Sequence, residues 1–245
     1  MIDIHAHILP GLDDGPKDLQ ESLQICQTAV SNGIKAIVAT PHIGRYNNSL
    51  ENILPAFEQL RDYLKAENIL LDIFCGADIL FTPQLPQLIK TNHIVSINNS
   101  GKYILIEFPH YAVPETASKT IFELLSLGVT PIITHPERNS FIQKHPQLLY
   151  EFINQGALSQ LTASSITGIF GRPAERAAYF MLEHNLAQVI ATDVHSLKGR
   201  GPYLREAVEV ASGIIGKDLA VSMVTTVPQQ IVDGRPVDFP EPIRP

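Results

Sequence analysis

The stretch richest in chemistry is the start of the chain, MIDIHAHILPGLDDGP, where His5 and His7 stand one residue apart and the acidic pair Asp13 and Asp14 follows. Alternate side chains of a strand point to one face. On a strand, His5 and His7 therefore share a face with Asp3, and Ile2, Ile4, Ala6 and Ile8 share the other. Two neighbouring imidazoles are either a chelating pair or a hydrogen-bonded pair at a strand end, and further residues of the same kind bear on the choice. AIVAT runs into His42, LDIFCGAD ends at Asp78, YILIEF carries Glu107, PIITHPER delivers His135 and Arg138, and QVIATDVH ends with Asp193 and His195. Only LSQLTASS offers no strong metal ligand. Nitrogen and oxygen donors without thiolate suit Mn, Zn, Fe or Mg, and nine such ligands exceed the three or four of one catalytic zinc, which implies two or three ions. Three divalent ions beside Asp14, Asp78, Glu107 and Asp193 would leave a formal charge of about +2, enough to attract a phosphate dianion to an acidic chain. Close metal pairs activate water and stabilise attacking and leaving oxygens, so hydrolysis of phosphate esters is the chemistry implied. Arg138, and Arg200 in HSLKGRGP, would add guanidinium forks for phosphate oxygens.

Those residues fall at the C-terminal ends of short β-branched runs. The pattern predicts strands over Ile2–His5, Ala36–Thr40, Leu71–Gly76, Tyr103–Glu107, Pro131–Thr134, Leu158–Leu161 and Gln188–Ala191. Helices are expected over Asp18–Ser31, Leu50–Ala66, Glu115–Ser126, Pro146–Asn154, Pro173–His184 and Tyr203–Ile215. Gly33, Gly128 and Gly156 punctuate helix ends. Alternating strands and helices imply a parallel sheet, whose strand ends converge on one face where active sites are built.

At 245 residues, with 44% apolar and 18% charged residues, the chain suits a single domain over 1–245, with a Pro-rich, extended tail over 235–245. A net charge of −7 and no basic stripe argue against nucleic acid or an anionic membrane surface as partner. No apolar run approaches the ~20 residues of a bilayer span, no secretory signal precedes the first strand, and Cys26 and Cys75 form no C-x-x-C pair. A reducing, cytoplasmic setting is expected. Neither cysteine heads the C-x5-R loop of a thiolate phosphatase, so both are read as structural. His93, His145 and His184 lie outside the strand-end pattern, and His110 is at most a rim residue.

The ordered set MIDIHAHILPGLDDGP, ATPH, GADILFTP, YILIEFP, GVTPIITHPERN and IATDVHSLKGRGP resembles the PHP (polymerase and histidinol phosphatase) superfamily. More narrowly, over roughly residues 1–235, it resembles its bacterial tyrosine phosphatases of the CpsB/YwqE group. The resemblance implies an α/β fold, a distorted (β/α)7 TIM-like barrel of the PHP type, carrying two or three divalent ions, most often manganese. It assigns metal ligation to His5, His7, Asp14, His42, Asp78, Glu107, His135, Asp193 and His195, and phosphate binding to Arg138 and Arg200. Spacing does not separate Asp13 from Asp14; the motif selects Asp14. Asp78 stands where the family usually has glutamate, one methylene longer, and is expected to bridge ions less well or to admit a water.

The implied reaction is dephosphorylation of phosphotyrosine on a protein by a metal-activated hydroxide. The substrate would be a bacterial tyrosine autokinase that governs capsular or exopolysaccharide synthesis. On this assignment His5, His7, Asp78 and Asp193 hold one ion, Asp78 with Glu107 and His135 a second, and Asp14, His42 and His195 a third. The rivals are a phosphoesterase for a small substrate such as histidinol phosphate, a metal-dependent nuclease or amidohydrolase, and a non-catalytic metal-binding docking protein.

Overall fold

A computed structural model describes residues 1–245. Nine strand segments follow the chain: β1 (Ile2–Ala6), β2 (Ala36–Ala39), β3 (His42–Ile43), β4 (Asp72–Cys75), β5 (Asp78–Leu80), β6 (Tyr103–Glu107), β7 (Thr130–Thr134), β8 (Leu158–Thr162) and β9 (Val189–Ala191). They occupy seven positions. The second is broken between β2 and β3 at Pro41, which has no N–H to donate, and the third between β4 and β5 at Gly76 and Ala77. Pairing continues through both breaks: Thr40 N donates to Ala6 O at 2.9 Å, Gly76 N to Ala39 O at 2.9 Å and Asp78 N to Pro41 O at 3.1 Å. A Cβ on Gly76 would lie 2.8 Å from Val38 Cγ1, so only glycine lets the strands approach there.

All pairings are parallel, in the orders β1-β2-β4 and β3-β5-β6-β7-β8-β9. The ring closes where Asp193 N donates to His5 O and His7 N donates to Val194 O, both at 2.9 Å. The molecule is thus a seven-position parallel α/β barrel, distorted because β4 meets no strand on its β6 side. A turn at Ile97–Asn99 packs into that gap.

Two apolar layers result. The inner one holds Ile4, Val38, Leu105, Ile132, Val189 and Ala191, closed below by Val227 and Ile231 of the helix Thr226–Val232. The outer one places Ile37, Ala39, Ile104, Ile106, Ile133 and Ile190 against the surrounding helices. The period of two then dictates what faces inward at the top. Above Leu105 comes Glu107, above Ile132 Thr134, above Val38 Thr40 and then His42, and above Ala191 Asp193.

On β1 the register shifts between Asp3 and Ala6. The expected single face for Ile2, Ile4, Ala6 and Ile8 therefore does not exist: Ile4 lies in the inner layer, Ala6 and Ile8 in the outer one. Asp3 also leaves the histidines. Its carboxylate accepts from Thr192 N at 3.0 Å and from the Thr192 hydroxyl, bracing β1 against the segment after β9.

Helices flank the strands at Leu19–Ser31, Leu50–Ala66, Ala117–Ser126, Pro146–Gln155, Arg172–Glu183 and Arg205–Ile215, within two residues of the expected bounds. The first starts where the Asp18 side chain accepts from Glu21 N at 2.9 Å. Short helices at Leu85–Lys90, Ser140–Lys144, Ala163–Ile166, Lys217–Ser222 and Thr226–Val232 were not legible as separate elements. The tail carries no regular element. It is tied along the outside by Tyr103 OH donating to Arg235 O, Asn185 Nδ2 to Glu241 O and Ile243 N to His184 O. No helix is long and apolar enough to cross a membrane.

Candidate metal centre

The polar top of the barrel gathers the nine expected ligands. Their donor atoms form overlapping groups, within each of which all atoms lie within 4.8 Å of one another: His7, Asp14, His42 and His195; His5, Asp78 and His135; His5, His7 and Asp193; and His42, Asp78 and Glu107. This differs in detail from the division drawn from the motifs. His7 also stands with Asp14, His42 and His195, while Glu107 meets Asp78 through His42. Eight of the nine side chains are buried and Asp14 is half exposed.

Hydrogen bonds fix how the rings face. His5 Nδ1 donates to Gln160 Oε1 at 2.8 Å, His7 Nδ1 to Asp13 Oδ2 at 2.7 Å, and His195 Nδ1 to the Asp193 carbonyl at 2.8 Å. Each bond leaves Nε2 turned toward the cluster. There His5 Nε2 and His7 Nε2 lie 3.2 Å apart, and His195 Nε2 lies 3.3 Å from Asp14 Oδ1. Imidazoles anchored through Nδ1 with Nε2 free are the form that ligates metal.

Asp13 and Asp14, which spacing could not separate, have different surroundings. Asp13 lies beneath His7, and its Oδ2 also accepts from His42 N at 3.1 Å and its Oδ1 from Gly15 N at 3.0 Å. The turn needs glycine at 15, where a Cβ would come 2.9 Å from His7 O. Asp14 Oδ1 instead faces His195 Nε2 and, at 3.7 Å, His42 Nε2.

Asp193 is the hub. Its Oδ1 lies 3.4 Å from His5 Nε2 and 3.5 Å from His7 Nε2, while Oδ2 accepts from Arg138 Nη1 and Arg200 Nη2, each at 2.6 Å. Both His135 and Asp193 adopt left-handed backbone, with φ of 36° and 52°. Such strain in a non-glycine residue costs on the order of 1–3 kcal/mol and gathers at functional sites.

The electrostatics gather opposite charges at the centre, and a cation there would take the place of the proton that Asp13 and Asp193 hold on His7. Burial raises Glu107 to about 7, reinforced by Asp78 and opposed by Arg45. Burial opposes ionisation of Asp78 and Asp193 too, yet facing histidines, and Arg200 for Asp193, hold both carboxyls below the usual range. Burial also opposes charge on His7, but its bonds to Asp13 and Asp193 raise it to about 10. Burial and Arg138 push His135 well below its ordinary value.

His42 Nδ1, Asp78 Oδ2 and Glu107 Oε2 are buried, belong to one ligand group and make no aligned hydrogen bond, although His42 Nδ1 faces Asp78 Oδ2 at 3.2 Å and Glu107 Oε2 has Arg45 Nη2 at 2.9 Å. Buried polar atoms left unpaired are expensive. A divalent cation among them answers that cost, so the residues fit the group.

Three contributors escaped the sequence reading. Gln160 comes from the run without ligands and anchors His5. Arg45 Nη2 sits 2.9 Å from Glu107 Oε2. Phe170 lies under both arginines, with guanidinium carbons 4.7 Å (Arg138) and 5.9 Å (Arg200) from its ring centre. None is an obvious ligand type; the glutamine at an inward position above Leu158 was the one available signal. Cys26 and Cys75 are free and buried, with thiols pushed up by burial to about 12 and about 11. His93, His145 and His184 belong to none of the ligand groups.

The fold is a parallel barrel whose strand ends converge on clustered histidines and carboxylates. A phosphotriesterase from Mycobacterium tuberculosis shares the fold at a TM-score of 0.59 and 9% identity, covering 95% of this chain and 93% of its own. Much nearer is a crystal structure of YwqE from Bacillus subtilis and CpsB from Streptococcus pneumoniae, described as metal-dependent tyrosine phosphatases. Its TM-score is 0.96 at 36% identity, over 100% of this chain and 99% of that one.

In sequence, the tyrosine-protein phosphatase YwqE of Bacillus subtilis is 39% identical over 221 residues, 89% of this chain and 87% of that protein. The putative tyrosine-protein phosphatase CapC of Staphylococcus aureus is 40% identical over 208 residues, 84% and 81% of the two chains. Residues 1–233 match the family described as capsular polysaccharide synthesis, CpsB/CapC. The chain belongs to the CpsB/CapC family.

Proposed function

We infer that the chain is a metal-dependent protein-tyrosine phosphatase. The observation that supports this most is the buried trio of His42, Asp78 and Glu107, whose facing atoms make no aligned hydrogen bond, beside the two arginines on Asp193. It couples a cation site to a phosphate clamp in a family whose members carry that activity by name. The proposed ligands are His5, His7, Asp14, His42, Asp78, Glu107, His135, Asp193 and His195, holding two or three divalent ions, with manganese the ion we propose. Bound there, the ions would supply Lewis acidity toward a phosphoryl oxygen and a lowered pKa for water.

The chain's own groups do the rest. Arg138 and Arg200 share one carboxylate oxygen, so each has donors left to turn toward the equatorial oxygens of a phosphoryl group. Asp13 and Gln160 hold His7 and His5 in one tautomer and orientation. Thr134 Oγ1 lies 3.3 Å from Asp78 Oδ1 and steadies that carboxylate. The phenolate of tyrosine is a good leaving group, with an ordinary pKa of about 10, so its departure needs only weak proton donation.

The proposed substrate is a phosphotyrosine protein, a bacterial tyrosine autokinase acting in capsular or exopolysaccharide synthesis. The family's description supports that setting. Two buried free thiols and no membrane-crossing helix support a cytoplasmic location. The test is a panel of phosphotyrosine peptide, histidinol phosphate and single-stranded DNA, run with wild type and His135→Ala. Phosphotyrosine should be the preferred substrate, and His135→Ala should lose turnover while keeping its circular dichroism. Full activity in that variant, or preference for another substrate, would refute the reading.

A further inference from the structure

Beside the arginine pair lies a cavity of about 330 Å³ lined by His110, Tyr111, Arg138, Gln143 and Phe170, among others. That is within the range of about 300–1,000 Å³ usual for small-molecule pockets. Its walls come from the segments after three strands: His110 and Tyr111 follow β6, Arg138 and Gln143 follow β7, and Phe170, with Pro173 and Ala174 in the first turn of the helix Arg172–Glu183, follows β8. Arg138 belongs to both places. Its Nη1 bonds Asp193 at 2.6 Å while its guanidinium covers one face of Phe170 at 4.7 Å. Tyr111 is 82% exposed, with His110 packed edge-on at 6.3 Å, so its own face is left uncovered. Over His42 and Glu107 the rim is formed differently: Tyr46 stacks on His42 at 5.8 Å, and Arg45 pairs with Glu107.

We propose that this cavity is an aryl subsite, which receives the ring of the phosphorylated tyrosine while Arg138 and Arg200 hold its phosphoryl group. The inference rests on the phosphatase reading above. Chemistry sets the direction. An aryl phosphate joins its ring to phosphorus through one oxygen, so a ring leaving a phosphoryl group held by Arg138 must lie against what borders Arg138. The bordering surfaces include three rings, those of Phe170, Tyr111 and His110, beside Pro173, Ala174 and the Gln143 amide. Aromatic pairs prefer offset or edge-on contacts, which these rings can offer. A substrate with a short alkyl group in place of the ring reaches none of them. The cavity therefore selects phosphotyrosine over alkyl phosphates by contact rather than by charge.

The experiment measures binding, so it does not depend on turnover. Phenylphosphonate and methylphosphonate, which are not hydrolysed, are titrated into manganese-loaded wild type, Tyr111→Ala and Phe170→Leu by calorimetry. Wild type should prefer the phenyl compound. Each variant should lose roughly 2- to 12-fold of that preference, and Tyr111→Ala should bind methylphosphonate as wild type does. An unchanged phenyl preference in both variants overturns the subsite, as does an equal loss for both compounds. Phosphate release from a phosphotyrosine peptide by the same wild-type preparation separates the two claims. Release with an unaltered phenyl preference overturns the subsite alone. A phenyl preference that the variants erase, without any release, supports the subsite and overturns the phosphatase reading.

Discussion

Replacing Asp13 with asparagine removes one negative charge and one acceptor from beneath His7 while leaving all nine proposed ligands in place. The carboxylate serves three donors: His7 Nδ1 at 2.7 Å, His42 N at 3.1 Å and Gly15 N at 3.0 Å. An asparagine has one oxygen and one NH2, so whichever way it turns, an N–H meets an N–H. Either Gly15 loses its acceptor, or His7 and His42 lose theirs. Loss of an outer carboxylate partner of a ligating histidine typically costs 10- to 100-fold in metal affinity, or about 1.4–2.7 kcal/mol. The number of bound ions at saturation should not change, because Asp13 is not proposed to touch an ion. Asp14→Asn should behave differently: its carboxylate faces His195 and His42, so its loss should lower the number of ions retained. Manganese titration by calorimetry, with metal content measured after gel filtration, separates the two. If Asp13→Asn kept wild-type affinity, or lost an ion as Asp14→Asn is expected to, the division of roles would be wrong.

Glu137 is fully buried and its carboxyl is raised from 4.5 to about 6 by burial, against hydrogen bonds from Ser165 and Thr162. For an acid with a raised folded value, the stabilising contribution is complete below the unfolded value and lost as pH rises through the folded one. Glu137→Gln cannot ionise, so its stability relative to wild type should improve by about 2 kcal/mol as pH rises from about 4.5 to about 7.5. Parallel denaturant curves for the two proteins would contradict this. Arg45→Gln removes the cation beside Glu107 and should raise that carboxyl further above about 7, moving manganese loading to higher pH. An unchanged loading profile would show that the Arg45–Glu107 pair has no part in it. Phe152, 1% exposed and 6.0 Å from the Phe108 ring, is a core anchor. Phe152→Ala should cost about 3–5 kcal/mol of unfolding free energy, and a loss below 1 kcal/mol would mean that the outer layer repacks there.

The strands were legible because β-branched runs such as AIVA and YILIE are short and separated by amphipathic stretches with glycine stops. The continuations His42–Ile43 and Asp78–Leu80 beyond Pro41 and Gly76 were not, because strands of two and three residues exist only through pairing with a neighbour. The shift on β1 was invisible for the same reason, although it carries His5 and His7 inward together. Candidate ligands stood out by type and by position at strand ends. Residues that act through another residue did not: Gln160 is an ordinary strand glutamine, Asp13 is indistinguishable from Asp14, and Phe170 reads as one more aromatic in a loop. Their roles appear only when loops distant in sequence meet over the barrel.

The most direct test of the central claim is phosphate release from a phosphotyrosine peptide by chelator-stripped protein, with and without added Mn²⁺. The account predicts negligible release from the stripped protein and turnover restored by manganese, with two or three ions bound per chain. Release at full rate without any divalent ion, or no release from protein carrying its full set of ions, would contradict it.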